Sequence, residues 1–188
     1  GQSYATAEAD DPAILLFDIA AALPSLAHQW LFVVLRKMRV PLFMIKCIQE
    51  LYRDGLAEIV LLGQRWGSLA IRSGIRQGCP ASGSLFVLAM DPCIRFIMAA
   101  LGPKRGILTA FADDLAAAVK NLYEALAILA RAFQIVGLCS ALVFHPGKVV
   151  VIPLWIFVVS EVREAITAVA PVLADARFHV YGMFRGLV

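Results

Sequence analysis

ILTAFADDLAAAV, residues 107–119, is the stretch whose reading decides the fold. Residues 107–112 and 115–119 are apolar runs of strand length, and Asp113 and Asp114 are wedged between them. Short apolar runs bounded by turn residues read as buried strands. Two strands with two acids at the turn is therefore the local expectation. Acids set among apolar strands have to be explained, because a carboxylate buried without partners or a metal is costly.

Upstream, AILLFD (13–18) is another short apolar run that ends in an acid, and it reads as a buried strand with Asp18 at its C-terminal tip. Pro24-Ser25 then opens a helical pattern to about Arg39, with Ser25 as its N-cap. Pro41 opens a second helix, to Tyr52, which Asp54-Gly55 ends. Residues 56–62 and 68–73 read as a hairpin joined by GQRWG. GIRQGCPASG (74–83) is too rich in glycine to be regular. A long apolar helix over 82–101 stops at Gly102-Pro103. Downstream, Asn121 caps a helix to about Val136, with Glu124 in its first turn favouring the helix dipole. Residues 141–144 and 149–152 read as two strands around HPGK, and 160–170 as a last amphipathic helix. This order gives an α+β class, with helices covering one face of a mostly antiparallel sheet.

The 188 residues make room for one domain or a large fragment of a longer chain. A hydrophobic fraction of 61% against 16% charged residues excludes disorder, which needs the opposite balance. Mean hydropathy is +0.79, so a membrane protein is the first alternative. A spanning helix needs roughly 20 apolar residues, and no run of that length is free of charge. Residues 19–35 are interrupted by Pro24, Ser25, His28 and Gln29, and 149–160 are too few. No transmembrane segment and no signal peptide is expected, but a soluble domain with an oversized core, its excess apolar surface covered by segments outside this chain. The net charge of +3 permits a nucleic-acid partner without demanding one. Cys47, Cys79, Cys93 and Cys139 form no CxxC pair and read as reduced thiols.

Any one of Asp18, Asp113 and Asp114, taken singly, reads first as a capping or turn aspartate. Three of them converging would repel one another unless divalent cations neutralised the cluster, and hard carboxylate oxygens suit Mg²⁺. The surrounding text is more specific. LLFDIAAALPSL (15–26), GIRQGCPASGSLF (74–86) and FADDL (111–115) resemble, in that order, motifs A, B and C of reverse transcriptases, and specifically those of non-LTR (LINE-like) retrotransposons. SALVFHPGKVVVIPL (140–154) is similar to motif D. YGMFRGLV (181–188) is weakly similar to the start of the primer-grip hairpin.

The resemblance implies a single polymerase palm fragment over 1–188, with fingers and thumb largely missing. Residues 1–11 would be a cut edge, and 171–188 the start of the primer-grip and thumb connection. It implies that Asp18 and Asp113 bind two catalytic Mg²⁺ ions, with Mn²⁺ as a substitute. Asp114 would be the third acid, and Ile19 would add its backbone carbonyl. Such ions activate a primer 3′-hydroxyl and stabilise leaving pyrophosphate. Gln77 and Gly78 would lie beneath the incoming nucleotide and template base, Ser82 would start the motif B helix, and Lys148 would lie near the triphosphate. As residues alone, 74–83 are a glycine-rich turn with an N-cap, and Lys148 is a solvated turn lysine.

Four positions depart from the family pattern. Leu23 stands where an aromatic usually gates the ribose, Gly83 replaces a proline, His145 an asparagine and Ala141 a glycine. None removes a metal ligand, and together they imply a divergent or decaying copy. Arg36, Lys37, Arg39, Arg65, Arg72, Arg76, Lys104 and Arg105 are available to phosphates or to solvent.

The expected function is an RNA-directed DNA polymerase palm that is inactive as an isolated fragment. Its partners would be an RNA template, a DNA primer, deoxynucleoside triphosphates and the missing fingers and thumb. The alternative is a catalytically silent remnant that binds nucleic acid or protein. The family implies an intracellular location, nuclear or cytoplasmic.

Overall fold

The computed structural model of the chain describes residues 11–178. The motif-like ending at 181–188 and the edge at 1–10 lie outside the described residues. In chain order the elements are β1 (Ala13–Asp18), α1 (Ala22–Ser25), α2 (His28–Lys37), α3 (Leu42–Tyr52), β2 (Leu56–Leu61) and β3 (Gln64–Ala70). They continue with α4 (Ser82–Leu101), β4 (Gly106–Phe111), β5 (Asp114–Val119), α5 (Leu122–Ser140), β6 (Val150–Pro153), α6 (Val159–Val169) and β7 (Arg177–Phe178). Two compact units result. One takes 11–20, 94–135 and 143–178 of the described residues, and the other takes 21–93 and 136–142.

The first unit is built on a sheet in the order β4-β5-β1-β6-β7, antiparallel except for the β6–β7 pair. The alternation of a half-buried strand is explicit in β1, where Ala13, Leu15 and Phe17 are buried and Leu16 is exposed. Leu115, Ala117 and Val119 of β5 continue the same buried face. Helical residues close over it: the ring of Phe17 meets Phe133 of α5 edge-on at 4.8 Å, and Leu122, Leu126 and Leu129 are fully buried. The opposite face stays open, with Ile107 and Phe111 of β4 exposed. The antiparallel sheet with helices on one face is thus what the order of elements implied, and its palm-like form is what the resemblance implied.

The second unit holds α1, α2, α3 and the two-stranded sheet β2–β3. Three expectations need correction. The helix expected from Pro24 starts at His28, and Ser25 closes α1 instead of capping α2. Leu26 and Ala27 are drawn out of helical geometry by long-range bonds: Gly74 N–H donates to the Leu26 carbonyl, and Ala27 N–H to that of Ser140. The hairpin turn is tighter than GQRWG. It consists of Leu62-Gly63, both with positive φ (51° and 78°), the geometry that matches strand twist. β3 therefore begins at Gln64, and a register shift between Ile59 and Val60 absorbs the extra residue.

Residues 141–144 form no strand, and of these only Phe144 bridges, to Ile19. α5 runs one turn beyond Val136 to Ser140, and Ala141 reverses the chain at φ 62°. The motif D turn is a 3₁₀ turn, Pro146–Lys148. By length and composition alone, α4 and α5 are apolar enough to cross a membrane, a test that the core helix of a soluble protein also passes. Counting uninterrupted runs missed them because each carries two charges, Asp91 and Arg95 in α4, Glu124 and Arg131 in α5.

Candidate active site

β1 ends at Asp18, and β5 begins at Asp114. In the antiparallel register these two residues are direct partners across the strand pair. Directly opposed residues project to the same face, here the open one. Asp113 occupies the turn just before, following Ala112 at φ 54°. The sheet thus brings the three predicted acids to one end of two neighbouring strands. A hollow of about 390 Å³ beside them is lined by Leu16, Thr109, Phe111, Asp114 and Ala116, with Phe17 and Leu115.

Lys148 reaches the same end. Its ammonium donates to Asp18 Oδ2 at 2.6 Å, an ion pair in which Asp18 is 24% and Lys148 57% exposed. The turn that carries it is stitched to β1, because His145 N–H donates to the Asp18 carbonyl at 2.9 Å and Ala20 N–H to that of Val143 at 2.8 Å. These two bonds flank buried Ile19 without using its carbonyl. Beneath the turn, Phe144 stacks on Phe133 with ring centres 3.7 Å apart. Among the described residues no three His, Cys, Asp or Glu side chains are grouped to hold one metal ion. The donor chemistry nevertheless fits a divalent cation: the acids offer hard oxygens, and Asp18 already draws a cationic group onto its carboxylate.

The remaining predicted residues belong to the other unit. Leu23 lies in α1, half-buried, and its carbonyl accepts from Ile75 N–H at 2.7 Å. Gln77 and Gly78 are exposed on an irregular loop, and Gly78 takes φ 84°, a conformation that favours glycine. Ser82 starts α4 as expected, is buried, and donates its hydroxyl proton to the Arg76 carbonyl.

Sequence reasoning missed what holds that loop. His28 donates from Nε2 to the Gly74 carbonyl at 2.8 Å, and the Tyr52 hydroxyl accepts from Arg76 N–H at 3.4 Å. The two rings lie 4.7 Å apart on the wall of a cavity of about 490 Å³, which Arg72, Arg76 and Gln77 also line. Their separations of 46 and 24 positions from their partners carry no local signal.

An antiparallel sheet with acids at the end of its central strands is the palm-like arrangement that the resemblance implied. The reverse transcriptase (RNA-dependent DNA polymerase) family profile matches residues 2–154, and the chain belongs to that family. It is 34% identical over 104 residues to a retrovirus-related Pol polyprotein from the type-2 retrotransposable element R2DM of Drosophila melanogaster, covering 52% of this chain. A Pol polyprotein from a type-1 retrotransposable element R2 of Nasonia vitripennis is 35% identical over 111 residues, 54% of this chain. The chain spans about a tenth of either relative's length. These similarities agree with the non-LTR retrotransposon resemblance. Among solved structures, an apo telomerase from Candida tropicalis, truncated from its C-terminal domain, superposes with a TM-score of 0.61 at 14% identity. That match covers 76% of this chain and 30% of the telomerase, and it shows the fold alone.

Proposed function

We propose that this chain is the catalytic palm of an RNA-directed DNA polymerase that extends a primer 3′-hydroxyl with deoxynucleotides on an RNA template. The observation that carries the reading is the in-register pair Asp18–Asp114, with Asp113 in the adjoining turn. Asp18, Asp113, Asp114 and the Ile19 carbonyl would hold two Mg²⁺ ions, for which Mn²⁺ can substitute. When bound, these ions neutralise charge on the attacking and leaving oxygens. Gln77 and Gly78 would support the incoming nucleotide and template base, on a loop that Ser82 ties to α4. Leu23 would face the sugar. Lys148 would meet the triphosphate and offer a proton to pyrophosphate. Fingers and thumb of the parent polyprotein would complete the enzyme, so the isolated chain is expected to polymerise little.

The test is primer extension on an RNA template by the full parent protein, alongside its Asp113→Asn variant. Mg²⁺-dependent synthesis that the variant loses supports the assignment. Synthesis undiminished in Asp113→Asn would overturn it. A parent protein that binds template but never extends a primer would favour the silent-remnant reading.

A further inference from the structure

We infer that Lys148 is the resting counter-ion of Asp18, and that a divalent cation reaches this acid only by displacing the lysine. The inference rests on the metal assignment proposed above. The contact is short, 2.6 Å from Nζ to Oδ2, as charge-assisted bonds are. It is also built in by the backbone. His145 N–H holds the Asp18 carbonyl, Ile19 bridges Phe144, and the 3₁₀ turn is closed by Lys148 N–H to the His145 carbonyl at 3.0 Å. Val149, the next residue, is fully buried. The main chain at Lys148 is therefore anchored to the acid it serves, and side-chain torsions alone can move the ammonium.

Electrostatics explains why a cation belongs there. Asp114 stands directly opposite Asp18, and like charges across a strand pair are unfavourable. Lys148 relieves that repulsion when no metal is present. Asp18 is the more shielded partner and Lys148 the more open one, so the lysine can swing out without unfolding the turn. A divalent cation competes for the same carboxylate oxygen with twice the charge. Displacement would free the ammonium, still tethered by its anchored backbone, to pair with a phosphate instead. Loading of the acids and delivery of the lysine would then be one coupled event.

Two measurements on the full chain test this: Mn²⁺ titration followed by the electron paramagnetic resonance of free Mn²⁺, and acetylation of the Lys148 amine read by mass spectrometry. Lys148→Ala should bind Mn²⁺ about two- to five-fold more tightly, the range expected for losing one partly exposed competing ion pair. Lys148→Arg should restore wild-type affinity. Acetylation of Lys148 should accelerate on adding Mg²⁺, and in Asp18→Asn without it. Circular dichroism confirms that each variant is folded. Unchanged or weaker Mn²⁺ binding in Lys148→Ala, with binding still lost in Asp18→Asn, overturns the latch and leaves the metal site standing. Mn²⁺ binding indifferent to Asp18→Asn overturns both.

Discussion

Asp18 and Asp114 are direct partners in the β1–β5 register, so the sheet itself holds two like charges face to face. Like charges directly opposed across a strand pair lower stability. Asp114→Asn is therefore expected to raise folding stability by about a few tenths of a kcal/mol. The gain should grow in a Lys148→Ala background, where the compensating ammonium is gone. Urea unfolding of the four proteins, read as a double-mutant cycle, checks both signs. A destabilised single variant would contradict the argument.

Leu62 is the clearest mismatch between residue and backbone. It is almost wholly exposed, at 96%, and sits at φ 51° in a two-residue turn with Gly63. Asn-Gly is the preferred pair for this turn. Leu62→Asn should therefore stabilise the hairpin by roughly 0.5–1 kcal/mol. It should also raise solubility, since Val60, Leu61 and Trp66 leave the same hairpin strongly apolar. Thermal melts and the concentration at onset of light scattering are the measurements.

Gly78 has open space around the position of a Cβ, so only its φ of 84° resists substitution. Gly78→Ala is expected to cost about 1–2 kcal/mol of stability and to leave the chain folded. In the parent enzyme the same change should depress kcat/KM for nucleotide by far more than that strain suggests, because the loop would carry the nucleotide. Equal losses in stability and in transition-state binding would reduce Gly78 to a structural residue.

Cys93 is buried in α4, and desolvation pushes its thiol from the ordinary 9.0 up to about 11. A raised folded-state value means that the folded chain holds this proton more tightly than the unfolded one. The contribution is complete below pH 9 and is lost as pH rises from 9 through about 11. Replacing the residue by alanine should flatten that part of the stability–pH curve, measured against wild type by chemical denaturation. Exposed Cys47 and Cys139 should react with a thiol reagent long before Cys93 does.

Leu23 offers a test of selectivity. In an active parent enzyme Leu23→Phe should improve discrimination against ribonucleotides by about one to two powers of ten, each worth about 1.4 kcal/mol. The ratio of kcat/KM for matched deoxy- and ribonucleotides is the readout. An unchanged ratio would show that another residue excludes the 2′-hydroxyl.

The amino-acid sequence by itself determined the elements whose signals are local. β1 is the run 13–18, α4 is 82–101, and both end where an acid or Gly102 dictates, because strand runs and helix stops are set by neighbours a few residues away. It also singled out Asp18, Asp113 and Asp114 as candidates, since they stand at the tips of apolar strands. Only the tertiary structure decided the rest. It broke the helix at Leu26–Ala27 through bonds to Gly74 and Ser140, and kept 141–144 out of the sheet. It placed β1 between β5 and β6, which sets Asp18 opposite Asp114. It also put Lys148 on Asp18 across 130 positions. A carboxylate and an ammonium so far apart carry no common local signal. What joins them is the pairing of strands and the stacking of Phe144 on Phe133, which exist only once the chain has folded.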